Sequence, residues 1–270
     1  MNRVQIDEWS DLEAHDIAEL ALSMAARVYG EQSALQGQAR LLELEQWIGE
    51  RLQAEEADEL RRQLLTLLYR ELGFRGDWQD YFSSAHCDLS EVMRRRRGIP
   101  VSLGILLMQL GRELGLKVEG ICFPGHFLVS FESGEQLVYV DPFNGEELSL
   151  HQVELLLRGA LGNLASLSGQ YLQPATHWEV MERLLNVGKA ALLREERMSE
   201  ALRCCELLLC MKPGDPLETR DRGFIYEQLD CPQFAADDFE YFIEQCPDDP
   251  VSDMLKLQLQ SLDLSPKTLH

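Results

Sequence analysis

Arg94-Arg95-Arg96-Arg97-Gly98-Ile99-Pro100-Val101-Ser102-Leu103-Gly104 opens a segment that continues through Gly125-His126-Phe127-Leu128-Val129 to Val140-Asp141-Pro142-Phe143-Asn144-Gly145. A hydroxyl, an imidazole and a carboxylate follow one another there, each at the end of a regular element. Phe127–Phe131 and Gln136–Val140 are short runs rich in β-branched and aromatic residues, with Ser133-Gly134 between them as a turn signal. They predict an antiparallel hairpin. With Ser133 and Gly134 as its loop, Glu132 faces Glu135 and His126 falls opposite Asp141. Directly opposed side chains have Cβ atoms about 4.5–5.5 Å apart. A carboxylate at that distance can fix the imidazole tautomer and stabilise its protonated form. It can equally be a structural partner for a partly buried histidine.

Ser102 is the third member. Pro100 suits the first turn of a helix, where its missing N–H would be unpaired in any case. The spacing predicts a helix from about Val101 to Leu114, stopped by Gly115. Ser102 then sits in a first turn whose free N–H groups favour an anion. That environment would turn a cysteine into a thiolate. A serine needs a general base instead. So the residues admit two roles for Ser102, a nucleophile or a helix-capping hydroxyl.

Gly-Ile-Pro-x-Ser at a helix start, Pro-Gly-His-Phe-Leu-Val on one strand and Val-Asp-Pro-Phe-Asn-Gly on the next resemble the transglutaminase-like superfamily, which shares the papain-type Cys-His-Asp arrangement. The chain is most similar to a bacterial branch in which such a core precedes tetratricopeptide repeats. Some members of that branch are labelled regulators of invasion genes, a label that carries no mechanism. The likeness extends over about residues 30–260. It implies that Ser102 stands where the enzymes carry their nucleophilic Cys, with His126 and Asp141 at the other two positions. Serine at the Cys position departs from the enzymes and agrees with the branch.

Outside this segment, composition sets limits. The chain has 270 residues, 45% of them hydrophobic, enough for one large or two smaller domains with an ample core. Its 46 acidic against 25 basic residues give a formal net charge of −21. That balance argues against nucleic acid or an anionic membrane as partner and favours a protein or basic peptide. Seven cysteines, an odd number with no CxxC pair, predict neither a disulfide framework nor a zinc site. The first seven residues do not read as a signal peptide, and no apolar run approaches membrane-spanning length. A cytoplasmic protein without metal or other cofactor is expected.

The N-terminal part predicts helices over 11–29, over about 41–52 and over 57–72, with Gly30 and Gly73 as stops. Residues 77–88 form a polar, aromatic loop with Trp78, Tyr81, Phe82, His86 and Cys87, read either as a cover for the core or as a wall of the cleft. Cys87, expected to be exposed, and Cys122, in a strand over 119–123, are the two thiols that could stand in for the missing nucleophile. Arg94–Arg97 follow a short helix. Their default partners are the chain's own carboxylates, with one guanidinium turned to the cleft. Ser149 caps a helix to about Leu161, and 162–176 reads as a connection, with a boundary near 174.

From Trp178 the pattern is helical and repeats. Glu200-Ala201 aligns with Phe234-Ala235, Pro213 with Pro247 and Pro216 with Pro250, each at an offset of 34 residues, the tetratricopeptide period. Repeats at about 180–213 and 214–247 and a capping helix at 252–262 follow, with helix 150–161 or 177–186 expected to bridge to the first domain. Between Pro213 and Asp253 there are 12 Asp or Glu and 2 Arg, a balance that suits a basic peptide on the concave face as well as a merely solvated surface.

The fold expected is α+β: a helical N-terminal part with a small antiparallel sheet over residues 1–174, then an all-α repeat domain over 175–270. The function expected is a non-catalytic protein-interaction or regulatory factor with a remnant Ser102-His126-Asp141 site. The alternative is a hydrolase or acyltransferase in which Ser102 attacks, His126 takes its proton and Asp141 orients His126.

Overall fold

The computed structural model describes residues 9–52 and 54–262; the stretch of residues 1–7 read for a signal peptide lies outside them. The chain forms two compact units, Met1–Val187 and Gly188–His270.

In the first unit a 3-10 turn at Trp9–Ala14 precedes α1 (Ile17–Tyr29) and α2 (Glu31–Gly49). Helix α3 (Ala57–Leu65) runs into a π-helical turn at Thr66–Glu71. A two-residue strand β1 (Arg75–Gly76), helix α4 (Leu89–Arg95) and a two-residue strand β2 (Arg97–Gly98) lead to α5 (Pro100–Glu113). Strands β3 (Val118–Ile121), β4 (Leu128–Ser133), β5 (Gln136–Asp141) and β6 (Glu146–Leu148) form one antiparallel sheet in chain order. Helices α6 (Leu150–Leu161) and α7 (His177–Arg194) follow. The expected boundary at 174 falls before α7; the compact units divide inside it.

Helix α5 is the axis of this unit. Every residue from Pro100 to Gly111 is buried, as expected of a helix that is apolar on all sides. It meets the sheet at closest range through Phe127, which is 1% exposed. A Cβ on Gly104 would lie 2.4 Å from the Phe127 ring, and one on Gly120 would lie 2.6 Å from it. Those two glycines let helix and sheet close on a phenylalanine.

Two expectations are corrected here. The hairpin loop is Gly134-Glu135, with Ser133 paired to Gln136 and Val129 to Val140, two residues out of the expected register. Gly134 has φ +60°, the positive value that a type II′ turn gives to its first loop residue. Helix α2 starts at Glu31 rather than near 41. Its first turns are buried only through Ala34 and Gly37, and a Cβ on Gly37 would lie 2.3 Å from Leu22 Cδ2. Small residues packed that closely leave no apolar stripe in the sequence.

The arginine run is held inside the first unit. The Glu91 carboxylate accepts from Arg94 at 2.7 and 2.9 Å and from Arg95 at 2.8 Å, and the Arg94 guanidinium beside it holds that carboxyl down to about 2. Arg96 donates to Leu72 O and Arg97 to Gly73 O, at 2.7 and 3.1 Å, so both satisfy carbonyls just past the π turn. The expectation that one of the four turns to the cleft gives way to these contacts. His177, at the start of α7, is also fixed. Arg112 Nη1 donates to its Nε2 at 2.7 Å, and its Nδ1 lies 3.2 Å from Leu12 O. A carbonyl can only accept, so the Nδ1 contact needs its hydrogen on Nδ1.

In the second unit α8 (Met198–Met211) and α10 (Pro232–Gln245) begin 34 residues apart, as do α9 (Pro216–Gln228) and α11 (Pro250–Ser261). Asp215 and Asp249 cap α9 and α11, each followed by proline at the first helical position. Ala235, Phe239, Phe242 and Leu255 form a buried cluster. A Cβ on Gly223 would lie 2.6 Å from the Phe239 ring, so α9 and α10 approach through a glycine. Arg222 clamps the buried Asp238 with two bonds of 2.8 and 2.6 Å. No helix among the described residues is long and apolar enough to cross a membrane.

Candidate functional site

His126 stands two residues before β4, not in it. Phe123-Pro124-Gly125-His126 is a turn closed by His126 N–H on Phe123 O at 3.1 Å, with Gly125 at φ +67°. Proline second and a positive-φ glycine third are what a type II turn requires. The observed register sets Asp141 against Leu128 rather than against His126. The turn, not a place in the strand, carries His126 to the Asp141 side chain. Its Nε2 lies 2.9 Å from Asp141 Oδ1, with the two side chains 15% and 14% exposed.

Asp141 ends β5 and shapes the turn after it. Its Oδ1 also accepts from Phe143 N–H at 2.8 Å, and its carbonyl accepts from Gly145 N–H at 2.8 Å. From the π-helical turn Tyr69 donates its hydroxyl to Pro142 O at 2.8 Å, and its ring occupies the space a Cβ on Gly145 would need. Burial, then the nearby Asp141 charge, pushes the Tyr69 phenol up. Tyr69→Phe leaves the buried Pro142 carbonyl without its donor. The expected cost is about 1–3 kcal/mol in urea unfolding.

Ser102 is fully buried in the first turn of α5. Its Oγ accepts from Ile99 N–H at 3.1 Å and donates to Ile99 O at 3.2 Å, and a Cβ on Gly98 would lie 2.8 Å from it. Among the described residues its hydrogen bonds go to Ile99, while His126 bonds Asp141. Helix α5 reaches the residues that follow the pair in the chain, since the Cβ position of Gly104 meets both the Phe127 ring and Pro142 Cγ.

Around the pair, Arg183 Nη1 donates to His126 O at 2.8 Å. Cys122 lies just past β3, beside Arg183; burial pushes its thiol up to about 11, far from thiolate range at neutral pH. Cys87, expected to be exposed, is 6% exposed. Trp78 packs on Phe143 at 4.4 Å between centroids, and Tyr81 lies 6.2 Å from Phe143, so the aromatic loop adjoins the Asp141 turn. Tyr69 and Arg183 were not legible as site residues. Neither carries a motif, and each arrives from a helix distant in sequence.

A carboxylate oxygen can only accept, so where Asp141 is ionised the hydrogen of this bond sits on Nε2 of His126. Acyl transfer by such a pair would further need a hydroxyl free to approach the imidazole.

Residues 36–186 match the family model described as transglutaminase-like superfamily, and residues 189–260 match a tetratricopeptide repeat model. The chain is 50% identical over 208 residues to a UPF0162 protein of Vibrio cholerae, covering 76% of this chain and 77% of that protein. It is 39% identical over 214 residues to Protein SirB1 of Salmonella typhimurium and 37% identical over 214 residues to UPF0162 protein YchA of Escherichia coli K12, covering 79% of this chain and 80% of each relative. No solved structure matches the chain.

Proposed function

The chain belongs to the transglutaminase-like superfamily and carries C-terminal tetratricopeptide repeats, and from that premise we propose that it is a non-catalytic protein-interaction or regulatory factor, a pseudoenzyme with a Ser102-His126-Asp141 remnant and a peptide-binding repeat module. The observation that carries this reading is the state of Ser102: fully buried, with its hydroxyl proton donated to Ile99 O and one lone pair accepting from Ile99 N–H. A nucleophile must reach both its base and a substrate carbon. The division at 174/175, a cytoplasmic location and a protein or basic peptide as partner, with neither nucleic acid nor membrane, belong to the same proposal. The net charge of −21 supports the choice of partner.

The alternative, a hydrolase or acyltransferase, is favoured by one observation. The His126–Asp141 bond of 2.9 Å is the contact that a base and its orienting carboxylate would make. One experiment separates the two. Full-length protein is treated with serine-reactive fluorophosphonate and β-lactone probes, and adducts are mapped by mass spectrometry. The expected result is no adduct on Ser102, with His126→Ala behaving like the parent. Labelling of Ser102 that disappears in His126→Ala selects the enzyme.

A further inference from the structure

The loop before α4 presents aromatic surface to solvent in a fixed arrangement. Trp78 is 78% exposed and Phe82 55% exposed. Both belong to one ring network: Trp78 on Phe143 at 4.4 Å, Trp78 stacked with Tyr81 at 6.4 Å, and Phe82 edge-on to Tyr81 at 5.2 Å. The network has a rigid base. Phe143 is buried against Gly76, where any Cβ would lie 2.1 Å from its ring, and Gly76 N–H donates to Phe143 O at 2.6 Å. Asp77 Oδ1 accepts from the N–H groups of Gln79 and Asp80, at 3.0 and 3.3 Å, so the turn that holds Trp78 is pinned. Large exposed aromatics in a preset geometry are the usual anchors of a binding surface, not of a core.

The charge beside the rings states what would sit there. Asp77 and Asp80 flank Trp78 in the chain, with Asp80 exposed, and Asp141 lies at the other end, bonded to Phe143 N–H. The Arg183 guanidinium on α7, whose charge is felt at Tyr81, is already held by His126 O and lies beside Cys122. An aromatic face edged by carboxylates attracts a cation. A planar guanidinium, weakly hydrated and able to stack and to pair with carboxylates at once, fits it better than an ammonium. We propose that Trp78, Tyr81 and Phe82, with Asp77 and Asp80, form a recognition ledge for an arginine side chain of a partner protein, next to the His126–Asp141 pair. This rests on the interaction reading above and gives it a second contact surface, separate from the repeats.

The test uses the full chain and a twelve-residue peptide of alternating arginine and glycine, with a twin in which citrulline replaces arginine. Affinity is measured by calorimetry, and the binding site is located by amide and indole NMR shifts. The expected result is a shift of the Trp78 indole N–H, at least tenfold weaker binding in Trp78→Ala, about threefold or more in Asp80→Asn, and at least tenfold weaker binding of the citrulline twin. Because Asp80 is exposed, Asp80→Asn serves as the variant with an unchanged fold. Binding that ignores both substitutions, with shifts confined to residues 188–262, overturns the ledge and leaves the proposed function standing. Equal binding of the citrulline twin overturns the recognition of charge. No binding of the arginine peptide overturns the ledge together with the basic partner.

Discussion

Replacing Lys189 with methionine is expected to lower the stability of the repeat unit by about 3–5 kcal/mol, the range for removing one partner of a buried ion pair. Lys189 is 6% exposed. Its Nζ lies 2.7 and 2.8 Å from the Glu218 carboxylate and 2.9 Å from Asp221, while the Cys205 thiol donates to the same Glu218 oxygen at 2.8 Å. Methionine fills the volume but takes the Lys189 ammonium from Glu218 and leaves Asp221 with Arg220 alone, at 2.8 Å. The matching variant, Lys189→Met with Glu218→Gln and Asp221→Asn, is expected to recover most of the loss, since neutral replacements of a whole buried network are often tolerated. Urea unfolding of the three proteins measures both numbers. The pH dependence follows from the same contacts. Burial alone would lower the Lys189 pKa, but Cys205, Glu218 and Asp221 outweigh it and raise it. A raised lysine stabilises fully below its unfolded value of about 10.4 and loses that contribution as pH climbs through the folded value. Asp221 runs the other way. Burial raises it, Lys189 and Arg220 outweigh burial, and the net is a lowering. Its contribution is present above about 3.9 and is lost as pH falls through the folded value. The network therefore predicts a plateau of stability between about pH 4 and pH 10, which Lys189→Met flattens at both ends.

None of this network was visible in the sequence, because the 34-residue alignment marks the small and apolar positions that recur, and Lys189, Glu218 and Asp221 do not recur. What was legible followed from local rules. Pro100 and Gly115 bounded α5 to within a residue or two, and the capping helix expected over 252–262 is α11, Pro250–Ser261. The contact between His126 and Asp141 was reached through a hairpin whose register was wrong by two residues; it is made instead from the Phe123–His126 turn that precedes β4. What stayed hidden was set by glycine. The start of α2 packs through Gly37, β1 lies against Phe143 through Gly76, and α5 meets the sheet through Gly104 and Gly120. A residue that contributes by having no side chain leaves no apolar pattern to read. Tyr69 and Arg183 belong to the same class of omission, since their roles depend on where two helices end relative to one turn.

Phe127→Ala is expected to cost about 3–5 kcal/mol in the first unit, and the reason also governs the candidate site. The Phe127 ring fills the gap between Gly104 on α5, Gly120 on β3 and Met108, whose Sδ would lie 2.8 Å from a Cβ on Gly120. Its removal leaves a cavity lined by backbone, which relaxes poorly. His126 is the preceding residue and its orientation depends on the chain entering β4 at this point, so the loss should reach the imidazole. In the parent, the hydrogen bond to Asp141 is expected to fix one tautomer and to give the Nε2 proton a protected NMR signal. In Phe127→Ala that signal is expected to broaden or vanish while the repeat unit keeps its own unfolding midpoint. Gly104→Ala should disturb the same spot from the other side, placing a methyl 2.4 Å from the ring at a cost of about 1–3 kcal/mol. If ring and glycine form one contact, the double variant Gly104→Ala with Phe127→Ala must cost clearly less than the two single changes added together, because the new methyl partly fills the space the ring vacates. Strict additivity would mean that Gly104 is glycine for some other reason, and that the helix start bearing Ser102 is not held against the His126 strand by Phe127.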